Sequence, residues 1–234
     1  MPRFVYRWRS AWRMRDFRDQ FFVSLIASLI AFILMLVFLE YVETRNGIAL
    51  DDPFLPVFSP TDLRWITFSL IYSGMLLGLV SLCLYPFSLL LALRTFVVMS
   101  LLRIACLYLL PLGPPPGMIP LADPFIQLPG VPQVFTRDLF FSWQIATLAI
   151  LVFTAQWRDM RIIFSCVAVA VAVLLLLQHV HYTIDLVAAP CFAYVAYGFA
   201  KWLTIEEVAG LPERSDKPLP SKAERQSYSS GKMN

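Results

Sequence analysis

Long apolar runs without charges alternate with short polar segments along this chain. The first run, Phe21–Leu39, has 19 residues and no charge, close to the ~20 that a helix needs to cross a bilayer. A cleaved signal peptide has a shorter apolar stretch of roughly 7–15 residues, followed by small residues. Because this run continues directly into Glu40-Tyr41-Val42-Glu43, we expect a retained membrane anchor.

The next apolar region is too long for a single helix, since Trp65–Leu93 has 29 residues without a charge. Pro86 provides a break, because proline donates no backbone hydrogen bond and restricts the residue before it. Three more runs follow. We therefore predict an all-α, polytopic membrane protein with six transmembrane helices, at 21–39, 65–84, 87–110, 138–156, 162–179 and 182–202.

Basic residues predict the orientation, because Lys and Arg concentrate in cytoplasmic loops. They cluster before the first span, after the fourth and in the C-terminal segment, so we expect both termini to be cytoplasmic. The predicted organisation is a basic N-terminus (1–20), a membrane domain (21–203) and a disordered polar tail (204–234). The arginines and tryptophans of the N-terminus also fit a segment lying on anionic headgroups, but we favour a simple orienting charge cluster. The basic residues concerned are Arg3, Arg7, Arg9, Arg13, Arg15, Arg18, Arg158, Arg161, Lys201, Arg214, Lys217, Lys222, Arg225 and Lys232.

The segment Pro111–Pro132 contains eight prolines, which excludes a helix or a central strand. It lies on the predicted exoplasmic side and is long enough to fold back over the spans as a lid.

Composition excludes several classes of protein. The chain is 59% hydrophobic and 15% charged with a net charge of +3, unlike a soluble domain, a disordered chain or a nucleic-acid binder. The four cysteines lie in apolar runs without a CxxC pair, so we expect neither a disulfide framework nor a zinc site. The histidines and aspartates show no metal-ligand spacing, and we expect no metal and no cofactor.

Two arginines fall inside predicted spans, where a charge is costly and usually functional. Arg94 lies near the cytoplasmic end, and its side chain can extend to the interface. Arg103 lies ~24 Å along the third span from Phe87, towards the outer leaflet. It requires an anion, either a protein carboxylate or a phosphate.

The only two histidines, His179 and His181, stand at the exoplasmic join of the last two spans. His181 and Asp185 are four residues apart and share a helical face. A carboxylate bound to one ring nitrogen fixes the tautomer and leaves the other nitrogen free for chemistry. A capped helix start with an interfacial histidine explains the pair equally well.

The fourth predicted span begins at the same end of the bundle with polar residues. We expect this segment to meet Arg103, His181 and Asp185 at similar depth, forming a phosphate-sized polar site under the proline-rich loop. Its predicted phosphate-binding or substrate-binding residues are Asp138, Ser142 and Gln144.

Residues 45–200 resemble the sphingomyelin synthase-like branch of the type 2 phosphatidic acid phosphatase superfamily. The most specific element is His179-Val180-His181-Tyr182-Thr183-Ile184-Asp185, which is similar to the family pattern H-x-H-Y-T-x-D. The resemblance also includes Asp51-Asp52-Pro53, Arg103 to Pro111, Pro111 to Pro115 and Arg137 to Ser142.

The resemblance implies that His181 attacks phosphorus to form a phosphohistidine and that Asp185 orients it. The family's Ser-Gly-His element, whose histidine protonates the leaving lipid alkoxide, is replaced here by Ser142-Trp143-Gln144. A glutamine can bind a phosphate oxygen but donates no proton at neutral pH. His179 is the alternative acid.

The sequence thus leaves three functions open. The first is a lipid phosphotransferase or phosphatase that acts on phospholipid, ceramide or diacylglycerol at the exoplasmic face of a plasma membrane or bacterial inner membrane. The second is a degenerate member of the family that binds lipid headgroups without catalysis. The third is a small transporter or assembly subunit, which internal inverted repeats would favour, and none is visible. Homo-oligomerisation stays open.

Overall fold

A computed structural model of the protein describes residues 3–123 and 134–208, with side chains for 4–123 and 134–204. The described residues are helical apart from loops and one isolated β-bridge between Ile48 and Leu112. One compact unit ends at Leu203, and a second begins at Thr204. The helices are α1 (Arg3–Trp12), α2 (Arg15–Thr44), α3 (Arg64–Cys83), α4 (Pro86–Leu109), α5 (Trp143–Thr154), α6 (Arg158–Leu177) and α7 (Thr183–Val208), with a 3-10 turn at Leu55–Val57.

Five of these helices (α2, α3, α4, α6 and α7) are long and apolar enough to cross a membrane. The bounds of α3 and α4 lie within one residue of the prediction. Tyr85 is extended and Pro86 opens α4, because proline is tolerated in the first turn of a helix. Large apolar side chains such as Leu76 and Val169 are exposed on the outer faces, as expected where lipid is the solvent.

The fourth predicted span differs from the structure. Instead of a helix over 138–156, α5 has 12 residues, or ~18 Å, and residues 134–142 are irregular. α5 packs against α3, α4 and α6, and seven of its residues are buried. Non-helical backbone is tolerated at membrane depth when protein surrounds it, and here the polar side chains of this segment bind neighbouring elements.

Other predicted segments are described only in part. Residues 111–123 of the proline-rich loop are irregular, and 124–133 lie outside the described residues. Of the predicted tail, only the continuation of α7 to Val208 is described. The N-terminus, predicted only as a basic segment, contains α1, and α2 is longer than the predicted 21–39 at both ends.

Two glycines let α3 approach its neighbours closely. A Cβ atom on Gly78 would lie 2.4 Å from Leu151 Cδ1 of α5, and one on Gly74 would lie 3.1 Å from Val167 Cγ1 of α6. Small residues at helix interfaces are a common basis of packing between membrane helices.

We expect Gly78→Ala to destabilise the protein by about 1–3 kcal/mol, because Leu151 has to move to admit the methyl group. Thermal unfolding of the purified protein in detergent measures this effect. Gly198→Ala is the matched control, since no atom lies within 4 Å of that Cβ position. Equal changes in Tm for the two variants would contradict the packing argument.

Candidate functional site

His181 and Asp185 face each other at the turn between α6 and α7. His181 Nδ1 lies 3.5 Å from Asp185 Oδ2, and the two side chains are 2% and 0% exposed. The structure thus brings together the pair expected from their spacing. Because Nδ1 faces the carboxylate, Nε2 is the ring nitrogen on the far side of the imidazole.

Asp185 also closes the first turn of α7. Its Oδ2 accepts a hydrogen bond of 3.0 Å from the Tyr182 backbone N–H, as an acidic residue does in a helix cap. The capped helix start that the sequence allowed therefore coexists with the His181 pair. This second contact fixes the orientation of the carboxylate.

Arg103 is buried between α4 and the irregular segment before α5. Its Nη2 donates to Asp138 Oδ1, and the side chain is 1% exposed. The guanidinium carbon lies 5.5 Å from the ring centroid of Phe141 and 5.9 Å from that of Trp143. Arg103 therefore has the protein carboxylate that the sequence analysis considered, and further N–H groups remain for a second anion.

Ser142 connects this segment to the start of α7. Its backbone N–H donates to the Asp185 carbonyl oxygen at 3.2 Å, and its Oγ donates to Gln144 Oε1 at 3.1 Å. The Gln144 amide nitrogen is left to donate to another group. Six residues are thus joined by direct contacts and by the chain segment 138–144, and we call them the polar cluster: Arg103, Asp138, Ser142, Gln144, His181 and Asp185.

Unsatisfied polar atoms concentrate in and beside this cluster. Among the described residues, the buried side-chain atoms without a hydrogen bond are Arg103 Nε and Nη1, Gln178 Oε1, His181 Nδ1 and Asp185 Oδ1. A buried polar atom of this kind costs about 1–3 kcal/mol, and native proteins keep few of them. Donors and acceptors left open in one region are typical of a site that binds a polar ligand.

His179 is directed away from the polar cluster. Its Nδ1 lies 3.0 Å from the Pro116 carbonyl oxygen and its Nε2 lies 3.1 Å from that of Phe58. His179 adopts a φ of 54° and Gly117 one of 73°, the left-handed conformation that glycine adopts without strain. Both ring nitrogens thus face loop carbonyls, and His179 joins the loop before α3 to the loop after α4. These contacts give no support to His179 as the alternative acid.

We expect His179→Ala to loosen these two loops. The backbone N–H groups of Met118 and Ile119 donate to the carbonyl oxygens of Pro115 and Gln178. Loss of one loop hydrogen bond, about 1–1.5 kcal/mol, predicts roughly tenfold faster hydrogen exchange at these two amides. Exchange mass spectrometry of the full chain measures this change. An unchanged exchange rate in this segment would show that His179 does not hold the two loops together.

Tyr182 has a structural role that the sequence did not predict. This side chain is fully buried, accepts the Leu50 N–H at 3.1 Å and donates to the Gly113 carbonyl at 2.9 Å. Burial raises the pKa of Tyr182, so its hydroxyl stays protonated and keeps this donor. Tyr182 therefore holds both loops over the turn that carries His181.

Asp52 caps α7 from a distant loop. It accepts hydrogen bonds from the Thr183 N–H at 2.6 Å and the Thr183 hydroxyl at 3.1 Å. Burial acts to raise the pKa of Asp52, but hydrogen bonds from Thr183, Phe54 and Leu55 outweigh it, and the pKa lies below its ordinary value. The segment Asp51-Asp52-Pro53 was recognisable in the sequence as part of the family resemblance. Its contact with Thr183 was not predictable, because the two residues are far apart in the sequence.

Glu43 anchors the segment that carries Asp138. Its carboxylate accepts the Thr136 hydroxyl at 3.0 Å and the Arg137 N–H at 2.7 Å. The Arg137 guanidinium in turn donates to the carbonyl oxygens of Glu43 and Arg45. This network at the end of α2 positions Asp138 opposite Arg103.

The same region offers no metal-ligand set. Among the side chains described at 4–123 and 134–204, no three of His, Cys, Asp or Glu come together as ligands of one ion.

Comparison with known proteins assigns no family to this chain. No protein-family model matches the sequence, and no curated protein matches it.

Proposed function

We propose that this protein is a lipid phosphotransferase or phosphatase that acts through a phosphohistidine on His181. One observation carries the proposal: a buried His–Asp pair lies in the same cluster as a buried arginine whose Nε and Nη1 have no hydrogen-bond partner. A positioned nucleophile and donors for phosphate oxygens are the two requirements of such a site. The surrounding apolar helices favour a lipid as the phosphate ester.

In the first step, His181 Nε2 attacks phosphorus and the N–P bond forms as the P–O bond to the lipid breaks. Asp185, beside Nδ1, holds the ring in orientation and stabilises the positive charge that the imidazole acquires. The unpaired Nε and Nη1 of Arg103 and the amide of Gln144 bind the phosphate oxygens.

The departing alkoxide takes its proton from water, because Gln144 supplies none. In the second step, the oxygen of water or of a ceramide or diacylglycerol hydroxyl attacks phosphorus, and the new O–P bond forms as the P–N bond to His181 Nε2 breaks. The proton of the attacking oxygen is lost to solvent, the phosphate ester or free phosphate leaves, and neutral His181 is restored.

The alternative function is binding of a lipid headgroup without turnover. The observation that favours it is Gln144, which stands where the family that residues 45–200 resemble has the histidine that protonates the leaving group. Loss of a positioned general acid commonly lowers a rate by about 10²–10⁴-fold. In this case His181, Asp185 and Arg103 form an anchor for a headgroup.

A turnover assay on the purified full chain distinguishes the two functions. The substrates are short-chain fluorescent ceramide with a phospholipid donor, and phosphatidic acid alone. We expect a labelled phospholipid product or released phosphate, together with an acid-labile phosphate on the wild-type protein but not on His181→Ala. A lipid that copurifies with an inert wild-type protein would instead establish the binding function.

We further propose six spans with both termini cytoplasmic, in which α5 contributes the short fourth crossing. This topology is supported by the basic residues at the α5–α6 turn, Arg158 and Arg161, and before α2. It places the polar cluster at the exoplasmic end of the helices.

For this topology, we expect a cysteine at position 120 to react with an impermeant thiol reagent in intact cells. A cysteine at position 220 reacts only after the membrane is permeabilised. Labelling of both positions in intact cells would show that the two sites lie on the same side and would overturn the proposal.

A further inference from the structure

The arginine-rich N-terminus forms a distinct helix that is docked on the transmembrane bundle. Ala11 of α1 is buried against Phe17 and Leu90. Trp8 Nε1 donates to the Cys83 carbonyl at 2.6 Å. The sequence alone favours a different interpretation, in which these arginines are a cluster of charges that only orients the protein in the membrane. Such a cluster would need none of these contacts.

One face of α1 adjoins the membrane-facing surface of α2. Trp12 packs 5.9 Å from Phe22, a side chain that is 51% exposed within the first membrane-spanning helix. Val5 and Tyr6 of α1 are exposed as well. Aromatic side chains in this position are typical of a membrane–water interface.

Cationic side chains surround this aromatic face. The five arginine side chains described between residues 4 and 18 are all exposed, and they outnumber the acidic residues Asp16 and Asp19. Arginine binds phosphate through paired N–H groups. The exposed arginines are Arg7, Arg9, Arg13, Arg15 and Arg18.

From this juxtaposition we infer that α1 and the start of α2 form a binding surface for acidic phospholipids. The aromatic side chains enter the interface, and the arginines bind the anionic headgroups beside it. Zwitterionic lipids of the same chain length offer the same apolar contact but no net charge. The surface therefore selects acidic over zwitterionic lipid, independently of any catalysis at His181.

Native mass spectrometry of the full-length protein with equimolar phosphatidylglycerol and phosphatidylcholine tests this inference. We expect adducts of the wild-type protein to be enriched in phosphatidylglycerol. We expect R9Q/R13Q/R18Q to reduce this preference by about a hundredfold, because each of the three charges contributes roughly a factor of five.

Two controls make the outcome decisive. R9K/R13K/R18K keeps the charges and should keep most of the preference. Arg64→Gln removes a partly exposed cation, paired with Asp62, at the end of α3 that is distant from Cys83, and should leave the lipid preference unchanged. Equal adducts of both lipids on the wild-type protein, or an undiminished preference in the triple glutamine variant, would overturn the inference.

Discussion

Replacement of His181 by alanine is expected to abolish turnover, with a loss of at least about 10⁴-fold. The imidazole is the nucleophile in the proposed mechanism, and no phosphohistidine forms without it. The loss should be equal for a lipid and for p-nitrophenyl phosphate, because both pass through the same intermediate. Rates of product release and acid-labile phosphate on the protein measure it.

Asp185→Asn is the companion change, because it keeps the shape of the side chain but removes its charge. We expect it to lower turnover by about 10²–10⁴-fold while the protein still folds. His179→Gln is the matched control, since it alters the only other histidine, whose ring faces loop carbonyls. If His179→Gln loses the phosphohistidine and His181→Ala retains it, the nucleophile is wrongly assigned.

Restoration of an acid should accelerate an active wild-type protein. We expect Gln144→His with Trp143→Gly to raise turnover by about 10²–10⁴-fold for a lipid substrate, whose alkoxide leaving group is strongly basic. The same variant should change little with p-nitrophenyl phosphate, because p-nitrophenolate leaves without protonation. The ratio of the two rates is the diagnostic quantity.

Single variants separate the two substitutions. Trp143 packs 5.3 Å from Phe96 and lies beside Arg103, so Trp143→Gly alone measures the loss of this packing. Gln144→His alone measures the acid in the narrower site. A double variant that is slower than an active wild type would show that position 144 is not the place of the acid.

The positions of the helices were predictable where they depend on residues that are close together in the sequence. Pro86 fixed the boundary between α3 and α4, and long apolar runs identified the five long helices. α5 was not predictable in length, because its apolar run continues from a segment whose polar side chains bind Glu43 and Arg103 instead of extending the helix. Those partners are distant in sequence.

The site shows the same division between local and long-range contacts. The pairing of His181 with Asp185 follows from a spacing of four residues. The contacts of His179 with Pro116 and Phe58 depend on two loops whose paths no periodicity defines. Arg103 was recognisable as needing an anion, but only the structure shows that Asp138 binds its Nη2 and leaves Nε and Nη1 without a partner.

The shortness of α5 has an electrostatic consequence. In the proposed six-span topology, the ~18 Å of α5 leaves about 12 Å of a bilayer core ~30 Å thick to the irregular segment 134–142. That topology places Arg103 and its neighbours below the aqueous boundary. Mobile ions screen exposed charges within about 10 Å at 0.1 M salt but screen buried ones far less. Phosphate binding at Arg103 should therefore tolerate high salt, whereas lipid selection by the exposed arginines of α1 should fade as ionic strength rises.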